Sequence, residues 1–230
     1  MAQTILITGA NRGIGLALAR QAHARGDSVI ATARRPGEAE ALNALTRRSG
    51  DITVVGADVT SPEQLAGIAA AEKRPIDLVV CNAGQYHARG ALDDPAYTAE
   101  AWSGTLMTNV AGVFFTVRAF LPNLLAASAG RVAVISSIMG SSARAKGNAY
   151  IYRASKAAAT NLACNLAAEL APQGIAVGAY HPGWVRTDMG GAAADVAAED
   201  SAKGLLARFD ALGLQSTGTV EDFEGNPIPF

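Results

Sequence analysis

Along the chain, short unbroken apolar runs alternate with longer stretches in which apolar residues recur every three or four positions. Thr4 to Thr8 is β-branched or apolar throughout, as in a strand buried on both faces. Helical spacing then begins at Ile14, continues through Leu16, Ala17, Leu18, Ala19 and Ala22, and stops at Arg25-Gly26. Further strands are predicted at Ser28 to Thr32, Asp51 to Val55, Ile76 to Val80, Arg131 to Ile135 and Ile175 to Tyr180, with a short one near Thr219 to Phe223. The helical pattern returns at Glu38 to Arg48, about Pro62 to Lys73, Tyr97 to about Ala127, Tyr150 to Leu170 and around Ser201 to Leu212. Alternating strands and helices make a parallel sheet with helices on both faces. The expected fold is therefore α/β, a doubly wound parallel sheet of about seven strands.

Composition narrows this little but excludes a good deal. The 230 residues are 50% hydrophobic and 17% charged, too apolar for a disordered chain and enough for one large core. No linker-like run or internal repeat divides them, so a single domain over residues 1–230 is expected. A net charge of -1 offers no electrostatic reason to expect nucleic acid or an anionic membrane as partner. Cys81 and Cys164 have no metal-ligand spacing and read as two reduced core thiols. The start, Met1-Ala2-Gln3-Thr4-Ile5, lacks the marks of a targeting segment. No stretch reads as the ~18 apolar residues of a membrane span. The expected compartment is the cytoplasm.

Between the first strand and helix lies Gly9-Ala10-Asn11-Arg12-Gly13-Ile14-Gly15, a Gly-x3-Gly-x-Gly turn. Such a turn, opening into a helix whose first N–H groups are free, cradles a pyrophosphate. It makes the sheet Rossmann-like. An acid at the end of the second strand would bind the ribose hydroxyls of NAD, but the chain there reads Ala31-Thr32-Ala33-Arg34-Arg35. With Arg12, these guanidinium groups suit a 2′-phosphate, so NADP(H) is preferred over NAD(H). The alternative is that Arg34 and Arg35 are solvated loop charges. Asp58 reads either as an adenine contact or as a helix-start residue. After the fourth strand, Cys81-Asn82-Ala83-Gly84 is small enough for a backbone passing close to a ligand.

The chemistry centres on Tyr152 and Lys156, four apart on a helix and so on one face. A neighbouring ammonium is expected to lower the phenol pKa and make Tyr152 a proton donor at neutral pH. Tyr150 has no such partner. Asn109 interrupts an apolar helical stretch, which calls for a reason; a buried polar cap is one. The turn-rich segment Gln85 to Pro95 reads as one wall of a substrate pocket or as a surface connection. Met189 to Asp195, rich in Gly and Ala, reads as a lid within a substrate loop of about residues 186–203. Pocket candidates are Tyr86, His87, Met139, Trp184 and Met189; His87 reads as a loop histidine. Small residues on the Tyr150 helix (Ala157, Ala158, Ala159, Ala163, Ala167) suit close approach of another helix.

Taken together, Thr8-Gly9-x3-Gly13-Ile14-Gly15, Asn82-Ala83-Gly84, Asn109, Ser137, Tyr152-x3-Lys156 and Pro182-Gly183 resemble the short-chain dehydrogenase/reductase family over almost the entire chain. Within it, Tyr152-Arg153-Ala154-Ser155-Lys156, His181 to Gly191 and the closing Phe223 to Phe230 look like the C-factor and sniffer-type carbonyl reductases. Cys81 replaces the first Asn of the family's Asn-Asn-Ala-Gly, and Ser137 precedes Tyr152 by 15 residues, a longer gap than is common. Ser137 rather than Ser136 is chosen because it matches the second serine of the family's Ile-Ser-Ser. The resemblance implies reversible hydride transfer between NADPH and a carbonyl or secondary alcohol. In it Tyr152 is the general acid/base, Ser137 holds the substrate oxygen, and Lys156 tunes the tyrosine and holds the ribose. Asn109 supports a water that passes protons to Lys156. The cofactor would lie on Gly9, Asn11, Arg12, Gly13, Ile14, Gly15, Arg34, Asp58, Val59, Asn82, Ala83, Gly84, Tyr152, Lys156, Pro182, Gly183, Trp184, Val185 and Thr187. A homodimer or homotetramer is implied, and a small carbonyl or alcohol as substrate. A dinucleotide-binding signalling or regulatory protein with little turnover is the alternative; intact Ser137, Tyr152, Lys156 and Asn109 argue against it.

Overall fold

A computed structural model describes residues 2–46 and 51–230. Seven strands form one sheet: β1 (Thr4–Ile7), β2 (Ser28–Ala33), β3 (Ile52–Gly56), β4 (Leu78–Cys81), β5 (Arg131–Ile135), β6 (Ala176–His181) and β7 (Val220–Asp222). Their order is β3-β2-β1-β4-β5-β6-β7, and every pairing is parallel. Among the described residues seven α-helices accompany them: α1 (Gly13–Ala24), α2 (Glu40–Thr46), α3 (Pro62–Ala71), α4 (Ala99–Leu106), α5 (Gly112–Leu125), α6 (Tyr150–Leu170) and α7 (Ala198–Ala211).

The unbroken apolar runs follow from burial on both faces. In β1, Ile5 and Ile7 join a core with α1, α2 and α7, while Leu6 faces the opposite core with α3, α5 and α6. Alternate side chains of one strand point to opposite faces, so a covered strand has no polar face to show. Phe120, Leu124 and Leu65 fill the second core, and Phe209 and Leu42 the first; burial of each such side chain favours the fold by roughly 1.5–3 kcal/mol. The strand order reverses between β1 and β4, and the C-terminal strand ends at this switch open a crevice.

Most elements fall within one or two residues of the sequence expectation, and the larger differences have local causes. The expected helix from Glu38 begins instead as a 3₁₀ turn at Pro36–Glu38, and α2 starts at Glu40. Its expected end, Arg47 and Arg48, lies outside the described residues. The expected continuous helix from Tyr97 is broken at Met107–Ala111 by a π-turn containing Asn109. Helix α7 begins earlier than expected, with Glu199 and Asp200 in its first turn, where carboxylates meet the positive end of the helix dipole.

Three sequence expectations are corrected. The run Ala99–Leu125 is 27 residues long and, on length and composition alone, apolar enough to cross a bilayer. Its inner side chains, Val113, Val117, Phe120 and Leu124, are core residues of this fold. Cys164 is exposed, so only Cys81 is a core thiol. Ala159, Ala163 and Ala167 are buried against the sheet rather than offered to another helix. A row of exposed apolar side chains instead follows α4, the π-turn and α5: Trp102, Leu106, Met107, Phe114 and Leu125.

Candidate active site

A cleft of about 1070 Å³ runs over the C-terminal ends of β1 to β6. At one end is the glycine turn. Arg12, extended at φ -158°, enters α1, and Gly9 adopts φ +65° to make the reversal. A Cβ at Gly15 would overlap the Gly9 carbonyl oxygen and lie 2.5 Å from Asn82 Nδ2, so only glycine lets α1 start this close to β4. Asn82 Nδ2 donates to the Thr8 and Gly9 carbonyls, and Thr8 Oγ1 accepts from the Asn82 and Ala83 N–H groups at 3.0 and 3.1 Å. The Thr8 hydroxyl thus stitches the two strand ends that frame the turn. No side chain caps α1, so its first N–H groups stay free for an anion.

Arg34, Asp58 and Val59 line the same cleft. Arg35 pairs with Glu38 and Arg12 with Asp188, at 3.3 and 2.6 Å, whereas Arg34 has no ion pair among the described residues. The Asp58 carboxylate accepts from Thr60 N–H and hydroxyl at 2.9 and 2.7 Å, while Ser61 is the N-cap of α3. Asp58 therefore shapes the turn before that helix while its residue faces the cleft. Uncapped N–H groups, close backbone approach and an unpaired guanidinium at the end of β2 fit a dinucleotide phosphate.

At the other end are Tyr152 and Lys156, 8% and 5% exposed. Lys156 Nζ donates to the Ile135 carbonyl at 2.7 Å and lies 5.7 Å from the Tyr152 ring centre. Burial lowers the Lys156 pKa to about 8 and pushes Tyr152 up to about 12. The expectation that Lys156 lowers the tyrosine pKa is thus not met in this state. Desolvation dominates, opposed by the Ser137 side chain and, more weakly, by the positive charge of Arg89. Ser137 therefore faces Tyr152. Ser136 is turned into α6, where its hydroxyl meets Thr160 Oγ1 at 2.5 Å and donates to the Lys156 carbonyl.

Asn109 sits in the π-turn between α4 and α5, buried, and its amide is used by protein groups. Its Oδ1 accepts from Gln85 N at 2.8 Å; its Nδ2 donates to Gln85 O at 3.0 Å and Ser155 Oγ at 2.9 Å. Both amide protons are spent tying the segment after β4 to α6. That is the work of a buried polar clamp, and the side chain has no donor left for a water.

The remaining candidates divide. Tyr86 stacks on Tyr152, ring centres 4.2 Å apart and planes at 20°. Thr187 lies against Gly13, and Pro182, Thr187 and Met189 line the cleft. Gly183 packs under Phe223, and Val185 is buried, bridged to Val196. Trp184 is 52% exposed and donates to the Gly190 carbonyl, so it braces the segment after Met189 from outside. His87 is exposed and bonded to the Gln85 side chain at 2.8 Å. Met139 lies in a 3₁₀ turn where its N–H donates to Ser137 Oγ. Sequence reasoning missed Thr8, Ser155, Arg89 and Arg153. Thr8 stood in the glycine motif and Ser155 beside Lys156; for the two arginines, no spacing rule announced them.

A phosphate-cradling turn and a Tyr–Lys pair on one cleft define a class, the dinucleotide-dependent oxidoreductases. The chain belongs to the short-chain dehydrogenase family, whose model matches residues 3–197. It is a carbonyl reductase-like oxidoreductase with a nicotinamide dinucleotide as the family's cofactor. It is similar to C-signal of Myxococcus xanthus, with 38% identity over 157 residues, 68% of this chain and 93% of that protein. It is also similar to an NADPH-bound carbonyl reductase from chicken fatty liver (31% identity, TM-score 0.92, covering 100% of this chain and 99% of that one). Carbonyl reductase Sniffer of D. melanogaster has 26% identity and a TM-score of 0.94, with 100% of both chains covered.

Proposed function

We propose that this protein reduces a small carbonyl compound with NADPH, reversibly, Tyr152 acting as general acid in reduction and general base in oxidation. The observation that carries the proposal is that Tyr152 and buried Lys156 line the cleft whose far end is the glycine turn, with the Ser137 side chain beside Tyr152. When bound, the nicotinamide supplies the hydride.

The protein's own groups handle position and protons. The turn from Gly9 to Gly15 and Asn82 to Gly84 would seat the dinucleotide, with Pro182 and Thr187 near the nicotinamide end. Arg34, unpaired, supports NADPH over NADH. Ser137 would donate to the substrate oxygen, and such preorganised donors are worth ~2.7–4 kcal/mol to a developing oxyanion. Tyr152 gives its proton to that oxygen. With its pKa raised to about 12 the phenol is protonated at neutral pH and so carries the proton that reduction consumes, although it is a weaker acid than a free tyrosine. Lys156 keeps two unspent N–H donors toward the cleft after its bond to Ile135. Asn109 holds the Gln85 backbone in register with α6. The segment of about residues 186–203 serves as substrate loop. The exposed apolar row on α4 and α5 supports pairing of copies into a homodimer or homotetramer.

The test is oxidation of NADPH by purified protein against a panel of ketones, aldehydes and quinones. Turnover is expected, and Tyr152→Phe should lower kcat by ~10²–10⁴ while still binding NADPH. Undiminished turnover in Tyr152→Phe sinks the mechanism. Tight NADPH binding with no turnover of any carbonyl favours the regulatory alternative, to which similarity to C-signal also points.

A further inference from the structure

Arg89 lies in the segment joining β4 to α4, exposed, and bonded to Met189 of the cleft lining. Its guanidinium carbon sits 4.5 Å from the centre of the Tyr86 ring, the ring that stacks on Tyr152. Ala88, at φ +52°, turns the chain back so that Arg89 returns over Tyr86. The segment is anchored at its far side: the Tyr97 hydroxyl donates to the Gly90 carbonyl and accepts from Tyr150 N–H at the start of α6. Arg89 is thus held, not loose.

Of its five N–H donors, the one with a protein partner among the described residues is Nη2, bonded to the Met189 carbonyl at 2.6 Å. No carboxylate pairs with Arg89, Arg144 or Arg153 among the described residues, although Arg12, Arg25, Arg35, Arg74 and Arg208 all have one. The nearby acid Asp94 is spent on the Gly90 and Ala96 N–H groups. Arg153 donates to oxygens of Asn148, Met139 and Arg144, which bring no negative charge. The positive charge of Arg89 reaches both phenols, Tyr86 and Tyr152. A cation one ring away from the proton donor, with its fork open and no acid to balance it, is a receptor for an anion.

We propose that Arg89, backed by Tyr86, binds a carboxylate carried by the substrate, so that the preferred substrates are oxo acids: aldehydes or ketones with a carboxylate a few bonds from the carbonyl. This rests on the carbonyl reductase reading. The carbonyl oxygen would lie at Tyr152 and Ser137, and the carboxylate would meet the planar fork of Arg89.

The probes are 4-formylbenzoate and its uncharged partner 4-formylbenzamide, compared by kcat/KM with NADPH. In parallel, the alcohols 4-(hydroxymethyl)benzoate and 4-(hydroxymethyl)benzamide are titrated into the protein–NADPH complex, where no hydride transfer can follow. The carboxylate should be preferred by about tenfold or more in both measurements. Arg89→Gln should bring that ratio close to one, and Arg89→Lys should restore part of it. The ratio is its own control, because a variant that merely distorts the site lowers both members. A ratio near one in the unaltered protein, an unchanged ratio in Arg89→Gln, or no binding of either alcohol overturns the proposal. Arg89-dependent binding without turnover leaves the subsite standing and sinks the reductase reading; turnover without preference does the reverse.

Discussion

On the β1–β3 side of the cleft, Arg12 and Arg35 stand in water and are paired with Asp188 and Glu38, with Arg34 unpaired beside them. On the β5–β6 side, Tyr152 and Lys156 are nearly sealed from water, and no carboxylate pairs with Lys156 among the described residues. The first arrangement costs the fold little, because exposed charges keep their hydration and their pairs are worth ~0–1 kcal/mol. The second is held against the preference of both groups, whose pKa values burial drives toward their neutral forms. The glycine-turn end is built from backbone and open charge. The Tyr152–Lys156 end, the proposed catalytic end, stores electrostatic tension inside a packed helix, where α6 is anchored to β5 through Ser136 and Lys156.

The tension at Lys156 should be measurable as the largest of these effects. Its pKa is lowered from 10.5 to about 8 in the fold, so between those values the unfolded chain holds a proton that the native protein has lost. Stability must then rise with pH across that window, by ~1.4 kcal/mol for each pH unit. Relative to Lys156→Met, which lacks the group, the native protein should gain roughly 3 kcal/mol between pH 8 and 10.5 in urea unfolding without cofactor. Tyr152 acts in the opposite sense and later, since its raised pKa removes stability from pH 10 toward 12, equally in both proteins. A pH-independent difference between the two would mean that the catalytic end carries no such tension.

Gly15→Ala strikes the other end. The added methyl overlaps the Gly9 carbonyl oxygen and crowds Asn82 Nδ2, neither of them the free end of a flexible chain. Overpacking of this kind costs ~1–3 kcal/mol. The strain falls on the turn and on the Thr8–Asn82 stitch, so NADPH affinity should fall by about tenfold or more while Tyr152 and Lys156 stay in place. Fluorescence titration of NADPH gives the affinity. Unaltered affinity would show that the turn is not where phosphate sits.

The same contrast explains what the sequence displayed. Strands buried on both faces must be apolar throughout, so β1 and β5 showed as unbroken runs, and the steric demand at Gly15 left a glycine that spacing rules can find. The π-turn at Met107–Ala111 left almost no trace, because Leu106 to Ala111 continues helical spacing; only Asn109, out of place among apolar residues, marked it. The direction of the Tyr152 shift was misread because neighbours four apart are visible in a sequence whereas burial is not. What seals Tyr152 includes Tyr86, brought from another element by folding. Arg89 was invisible for the same reason: its meaning comes from the ring it covers and from the absence of an acid in space.

Arg34 tests cofactor choice with a smaller effect. It lines the cleft at the end of β2 with no carboxylate to compete for it. Arg34→Ala should weaken NADPH by about tenfold and leave NADH nearly unchanged, the loss of one charge-assisted phosphate contact. Equal losses for both cofactors, or tighter NADH binding by the unaltered protein, would place Arg34 among ordinary surface charges.

The smallest effect belongs to the pair that joins the two ends. Arg12 at the glycine turn meets Asp188, in the segment between β6 and α7, at 2.6 Å, with side chains 60% and 76% exposed. Breaking it with Asp188→Asn should change stability by less than ~1 kcal/mol, since the pair is exposed and the Arg12 charge regains full hydration. Its influence on NADPH should nonetheless be favourable. A phosphate arriving at the turn must compete with Asp188 for the Arg12 guanidinium, and its charge is repelled by that carboxylate. Removing the carboxylate relieves both, so NADPH affinity should rise by roughly two- to fivefold at low salt, and the gain should shrink at high salt as screening removes the repulsion. Weaker binding in Asp188→Asn would mean instead that the pair holds the loop in the shape the cofactor needs, and that the exposed end of the cleft is as preorganised as the buried one.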